Sequence, residues 1–98
     1  MRESVIEKKV SDYAKSKGFL TFKFVSPNKR GVCDQIFIYN GCVAFLEFKA
    51  KNGKTTKQQD LHHIQLRKQN VPVYVVNSIE LGNEVVNEIY ESDGYNRI

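Results

Sequence analysis

Two apolar segments, QIFIY and CVAFLEF, are separated only by Asn40-Gly41. No other feature of this sequence limits its folding so tightly. Asn-Gly between β-forming runs is a strong signal for a two-residue type I′ hairpin turn. So short a loop fixes the register of both strands. If Tyr39 pairs with Cys42, Asp34 falls opposite Glu47. Directly opposed residues point to one face of a sheet, with Cβ atoms roughly 4.5–5.5 Å apart. Lys49 lies two residues beyond Glu47 and shares that face, while Phe48 points the other way, into the core. The hairpin is therefore expected to gather two carboxylates and one ammonium on a single patch.

The remaining elements read around this hairpin. Residues 3–17 form a helix with Ile6, Val10, Tyr13 and Ala14 at helical spacing, stopped by Gly18. Phe19 to Val25 alternates and is rich in β-formers, hence a strand. SPNKRG is a loop, and AKNGKTT is a polar, basic loop. Lys57 to Gln69 is a second helix, capped by Thr55 or Thr56, with Leu61, Ile64 and Leu66 as its more apolar positions. Val71 to Val76 is an unbroken apolar run and reads as a buried strand. Ser78 caps a last helix, Ile79 to Tyr90, that turns Leu81, Val85, Val86 and Ile89 inward. The order α-β-β-β-α-β-α implies an α/β fold: a mixed β-sheet flanked by helices, a single domain over residues 1–98.

Composition narrows the function classes. A hydrophobic share of 41% excludes a disordered chain. No apolar run approaches the roughly 20 residues needed to span a bilayer, and the N-terminus lacks the apolar stretch of a secretion signal. A soluble, cytoplasmic protein without a membrane partner is expected. Charge is uneven: residues 1–79 carry fourteen basic and six acidic side chains, and residues 80–98 one basic and five acidic. A basic body with an acidic end suits a polyanionic partner, and equally a solvated lysine-rich surface. Cys33 and Cys42 are too few for a disulfide framework. The hairpin register also sets them about six residues apart along the strand, roughly 20 Å, too far to bridge.

Opposed like charges destabilise a sheet unless something neutralises them. Asp34 and Glu47 are spaced to suit a hard divalent cation with oxygen ligands, Mg²⁺ or Mn²⁺, with the Phe48 backbone carbonyl as a further oxygen. Such an ion polarises a phosphoryl oxygen and acidifies bound water. Lys49 beside it would orient water or offset developing negative charge. A structural salt bridge of Lys49 with the two acids is the competing reading.

Asp34 followed by Glu47-Phe48-Lys49 across a hairpin resembles the PD-(D/E)xK nuclease signature. The whole chain is most similar to the virus-type replication-repair nuclease domain, VRR-NUC. Gly31-Val32-Cys33-Asp34 stands where the family has Gly-Val-Pro-Asp, Gln59 matches its helical glutamine, and VPVYVV matches its following strand. Glu7 is the best match to a helical glutamate before the first strand, with Glu3 one turn earlier. Two residues depart from the pattern: Cys33, where proline is usual, and Gln35, where an apolar residue is common. The resemblance implies a restriction-endonuclease-like core and Mg²⁺- or Mn²⁺-dependent hydrolysis of DNA phosphodiester bonds. Small stand-alone members, as in phages, look like homodimers acting on branched DNA such as four-way junctions. This would place the protein in a bacterial or phage-infected host cell, without an organic cofactor.

On this reading Asp34 and Glu47 are metal ligands, Lys49 is the catalytic ammonium, and Gln59 orients Lys49, water or a phosphate. Glu7 would hold a second ion or a water; Glu3 reads as an exposed helix charge. Ser26, Asn28, Lys29 and Arg30 before Asp34, and Lys51, Lys54 and Lys57 after Lys49, flank the site and are expected to contact phosphates. His62-His63 lacks the spacing of a zinc pair, and His62 is expected to pack against the sheet. Tyr39, Tyr74 and Tyr90 read as core or rim. A non-catalytic nucleic-acid-binding module is the alternative function, and a protein-interaction domain using the acidic C-terminal helix is a third.

Overall fold

The computed structural model describes residues 1–24 and 34–92, in the order α1 (Glu3–Ser16), β1 (Leu20–Lys23), β2 (Gln35–Tyr39), β3 (Cys42–Phe48), α2 (Lys57–Lys68), β4 (Val73–Val76) and α3 (Ile79–Glu91). Ser26, Asn28, Lys29, Arg30 and Cys33 lie outside the described residues. The described strands form one sheet in the order β1-β2-β3-β4. β1, β2 and β3 run antiparallel, and β4 joins β3 in parallel through the α2 crossover. The mixed sheet and the element order are those the sequence implies.

The hairpin turn forms as expected. Asn40 and Gly41 take φ of 46° and 82°, the left-handed pair that a type I′ turn requires. Tyr39 pairs with Cys42, and the ladder continues to Gln35 opposite Leu46. Asp34 extends it by donating its backbone N–H to the Leu46 carbonyl at 3.1 Å.

One face of the sheet carries Phe37, Cys42, Ala44, Leu46, Phe48 and Val76, which pack with Ile6, Val10 and Ala14 of α1 and Val85, Val86 and Ile89 of α3. Phe19 joins this core just before β1 rather than inside it, stacked 4.7 Å from the Tyr39 ring. α1 and α3 approach so closely that a Cβ on Gly82 would overlap the Val10 side chain. Leu81, expected inward, is instead exposed on the flank of α3. Tyr39 and Tyr74 pack against the core and Tyr90 lies at its rim, where Lys17 Nζ sits 5.1 Å from its ring centroid.

The opposite face carries Ile36, Ile38, Val43, Phe45, Glu47, Val73 and Val75, with Leu20 and Phe22 beside them on β1. α2 covers only part of it. Two expectations fail here. Val71 to Val76 is not a fully buried strand: β4 spans four residues at the sheet's edge, with β3 as its neighbour, and Val75 is exposed. Nor does α2 dock through Leu61 and Ile64, which are 62% and 48% exposed, although Leu66 is half-buried. It turns His63, only 2% exposed, toward the sheet.

Candidate active site

The site forms where β2 and β3 end together. Asp34 continues the β2 ladder by one residue, which sets its side chain on the Glu47 face. Its Oδ2 accepts the Phe48 backbone N–H at 2.8 Å. That bond crosses the end of the hairpin and fixes the carboxylate beside Glu47. Glu47 is buried at 1% exposure. A carboxyl out of water with a second acid against it resists ionisation. Burial, then the charge and hydrogen bond of Asp34, push its pKa from 4.5 up to about 8, while the Lys49 ammonium works against them. Lys49 Nζ stands 3.9 Å from Glu47 Oε2. The three groups share one face, as the Asn40-Gly41 register requires.

Gln59 reaches this patch from the first turn of α2. Its backbone N–H donates to Thr56 Oγ1 at 3.1 Å, and its Oε1 accepts the Thr56 N–H at 2.9 Å, a reciprocal capping box. With Oε1 committed to the cap, the amide nitrogen faces the other way and donates to Glu47 Oε2 at 3.1 Å. One residue both starts the helix and holds the acid.

No family model matches the chain. It is 36% identical over 84 residues to a protein named "Putative nuclease p44" from Acyrthosiphon pisum secondary endosymbiont phage 1, covering 85% of this chain and 90% of that one. Its fold is similar to that of a solved VRR_NUC domain, with a TM-score of 0.79 and 24% identity over 87% of this chain and 94% of the other. The chain belongs to the family of this phage protein, and its fold is the VRR-NUC fold.

Against this VRR-NUC frame the two helical acids part company. Glu7 Oε2 accepts from Gln35 Nε2 at 2.6 Å and lies 3.7 Å from Lys23 Nζ. Ser11 Oγ donates to Gln35 Oε1 at 3.2 Å. The buried Gln35, which departs from the family pattern, is thus the polar tie between α1 and the strand that follows Asp34. These bonds lie on the α1 face of the sheet, whereas Asp34 and Glu47 share the α2 face. Glu3, not Glu7, is the helical acid whose charge adds to the raised pKa of Glu47.

His63, rather than His62, is the histidine turned to the sheet. Its Nε2 lies 3.6 Å from Glu47 Oε1. Gln59, His63 and Arg67 fall four residues apart on one stripe of α2, and Arg67 Nη2 donates to the Val73 carbonyl at 3.0 Å. Hydropathy alone does not reveal this docking stripe, because it is polar; the i, i+4, i+8 spacing of side chains with donors is its only trace in the sequence. Lys51, Lys54 and Lys57 are exposed on and beside the loop that joins Lys49 to α2.

The donor set fits a hard divalent cation. Among the described residues no group of three or more His, Cys, Asp or Glu side chains is arranged to hold a metal ion unaided; the oxygen donors at this patch are two carboxylates and the Phe48 peptide. Mg²⁺ is typically bound by one or two carboxylates and keeps several waters. A cation there would also replace the proton that now relieves repulsion between Asp34 and Glu47.

Proposed function

We propose that the protein is a Mg²⁺- or Mn²⁺-dependent DNA nuclease, an endonuclease that hydrolyses phosphodiester bonds in branched DNA such as four-way junctions. The observation carrying this reading is the Asp34–Glu47 pair on one sheet face with Lys49 Nζ at 3.9 Å. Family membership and the relative's name support the nuclease class.

Asp34 and Glu47, with the Phe48 carbonyl, would hold the cation. When bound, it supplies Lewis-acid polarisation of a phosphoryl oxygen and a more acidic water. Lys49 offsets negative charge growing on the phosphate and orients the attacking water. Gln59 keeps Glu47 aimed by holding one of its oxygens. Glu7 braces α1 against the strand following Asp34 through Gln35, and Glu3 contributes negative charge that strengthens the site's hold on a cation. Lys51, Lys54 and Lys57 bind phosphates without reading sequence, and Ser26, Asn28, Lys29 and Arg30, which precede Asp34 in the sequence, do the same. The reading includes a homodimer, because a two-fold pair presents two sites to a two-fold junction; sedimentation at micromolar concentration tests that part.

The deciding experiment incubates the protein with labelled four-way junctions, flaps and linear duplex, in Mg²⁺, Mn²⁺ or EDTA. Metal-dependent cleavage, fastest on the junction, is expected. Salt-sensitive binding without cleavage of any substrate would instead identify a non-catalytic DNA-binding module.

A further inference from the structure

Two buried polar atoms face each other across α2 and β3 with no hydrogen-bond partner: Glu47 Oε1 and His63 Nε2. They stand 3.6 Å apart, just beyond hydrogen-bond length, on side chains 1% and 3% exposed. Buried polar atoms are rarely left unpaired, and leaving them so is costly. The other oxygen of the same carboxyl group accepts from Gln59, one helical turn before His63. The two residues of one helix therefore address the two oxygens of one acid.

We propose that His63 is a positioning residue of the nuclease site: its Nε2–H donates to Glu47 Oε1 and, together with Gln59, fixes the carboxylate plane so that Glu47 and Asp34 present their oxygens to a divalent cation. The inference rests on the metal-dependent reading above and adds a residue to it. In the ionised, cation-binding form of Glu47 both oxygens are acceptors, so the imidazole nitrogen facing one of them must carry a proton. A donor on one oxygen and Gln59 on the other hold both ends of the Glu47 carboxylate. Hydrogen bonds to metal-ligating carboxylates are a common support of such sites, and their loss typically costs about 10- to 100-fold in metal affinity or activity.

The test compares three variants. His63→Gln carries an amide nitrogen at about the reach of Nε2. His63→Asn withdraws it toward the helix. His63→Met fills similar space with no donor. Each is characterised by thermal melting, by calorimetric titration with Mn²⁺ alone, and by kcat and KM on the best DNA substrate. His63→Gln is expected to bind Mn²⁺ within a few-fold of wild type. His63→Asn and His63→Met should bind about 10- to 100-fold more weakly and lose kcat with KM for DNA little changed. If His63→Met does not fold, the Gln-against-Asn comparison decides. Equal Mn²⁺ affinity in all folded variants, with wild type binding, would show that His63 merely packs and would leave the nuclease reading standing. Failure of wild type itself to bind Mn²⁺ would remove the metal reading and this inference with it.

Discussion

With its side chain 1% exposed and its carboxyl group protonated up to about pH 8, Glu47 ties stability to pH in a definite direction. An unfolded glutamate titrates near 4.5 and the folded one near 8, so between those values the folded chain keeps a proton that the unfolded chain has lost. That contribution is fully present below pH 4.5 and disappears as pH rises through 8. In EDTA, melting temperature should therefore fall across this window by more in wild type than in Glu47→Gln, and the difference between the two isolates Glu47 from the opposite-signed His63. A divalent cation must displace the same proton, so Mn²⁺ affinity should rise toward pH 8 in calorimetric titrations and level off above it; affinity independent of pH from 6 to 8 would contradict the paired-acid account. Gln59 yields a second prediction. Gln59→Glu keeps an acceptor for the Thr56 N–H but turns a carboxylate oxygen toward Glu47, so the helix should survive while cleavage falls. Thr56→Ala should cost about 1 kcal/mol in denaturant titration through the lost cap. The Asp34–Glu47–Lys49 patch was legible because a two-residue turn dictates its geometry locally. His63 was not, because its partner depends on how a helix docks.

The helices show the same division. Apolar spacing correctly turns Ile6, Val10 and Ala14 of α1 and Val85, Val86 and Ile89 of α3 into the core. In α2 the same logic points Leu61 and Ile64 inward, yet both are exposed, and the stripe that bonds to the sheet is Gln59, His63 and Arg67, of which His63 is buried. Hydrophobicity ranks what a residue tolerates; it does not register that a buried acid on the facing strand demands donors. The breadth of β4's burial was also overread, because an apolar run does not say whether a strand has one neighbour or two. Gly82 bears on the α1–α3 contact. Gly82→Ala would gain helix propensity of up to about 1 kcal/mol, but its Cβ meets the Val10 side chain. Overpacking of this kind costs about 1–3 kcal/mol, so urea titration should show net destabilisation; a stabilised variant would mean that α1 and α3 are not packed this closely.

At the scale of the whole molecule, acidic and basic groups are segregated by element. Glu80, Glu84, Glu88 and Glu91 are exposed on α3, which covers the face away from Glu47, whereas Lys51, Lys54 and Lys57 lie on the connection leaving the site. Element order and sheet pairing were largely readable from the chain, since turn chemistry and periodicity agree there. That α3 lies on the face away from Glu47 emerges only once the sheet assigns each element to a face. Neutralising Lys51, Lys54 and Lys57 should weaken DNA binding and flatten its logarithmic salt dependence by about 0.9 per lost phosphate contact, while Glu84→Gln should leave cleavage unchanged. The central claim, that the hairpin assembles a metal-dependent phosphodiesterase centre, is tested most directly by single-turnover cleavage of a four-way junction in Mn²⁺ by wild type, Glu47→Gln and Lys49→Met, each shown folded by its melting curve. The account predicts metal-dependent cleavage by wild type and a loss of about 100-fold or more in both variants with junction binding retained; cleavage by Lys49→Met at the wild-type rate, or none by wild type, would contradict it.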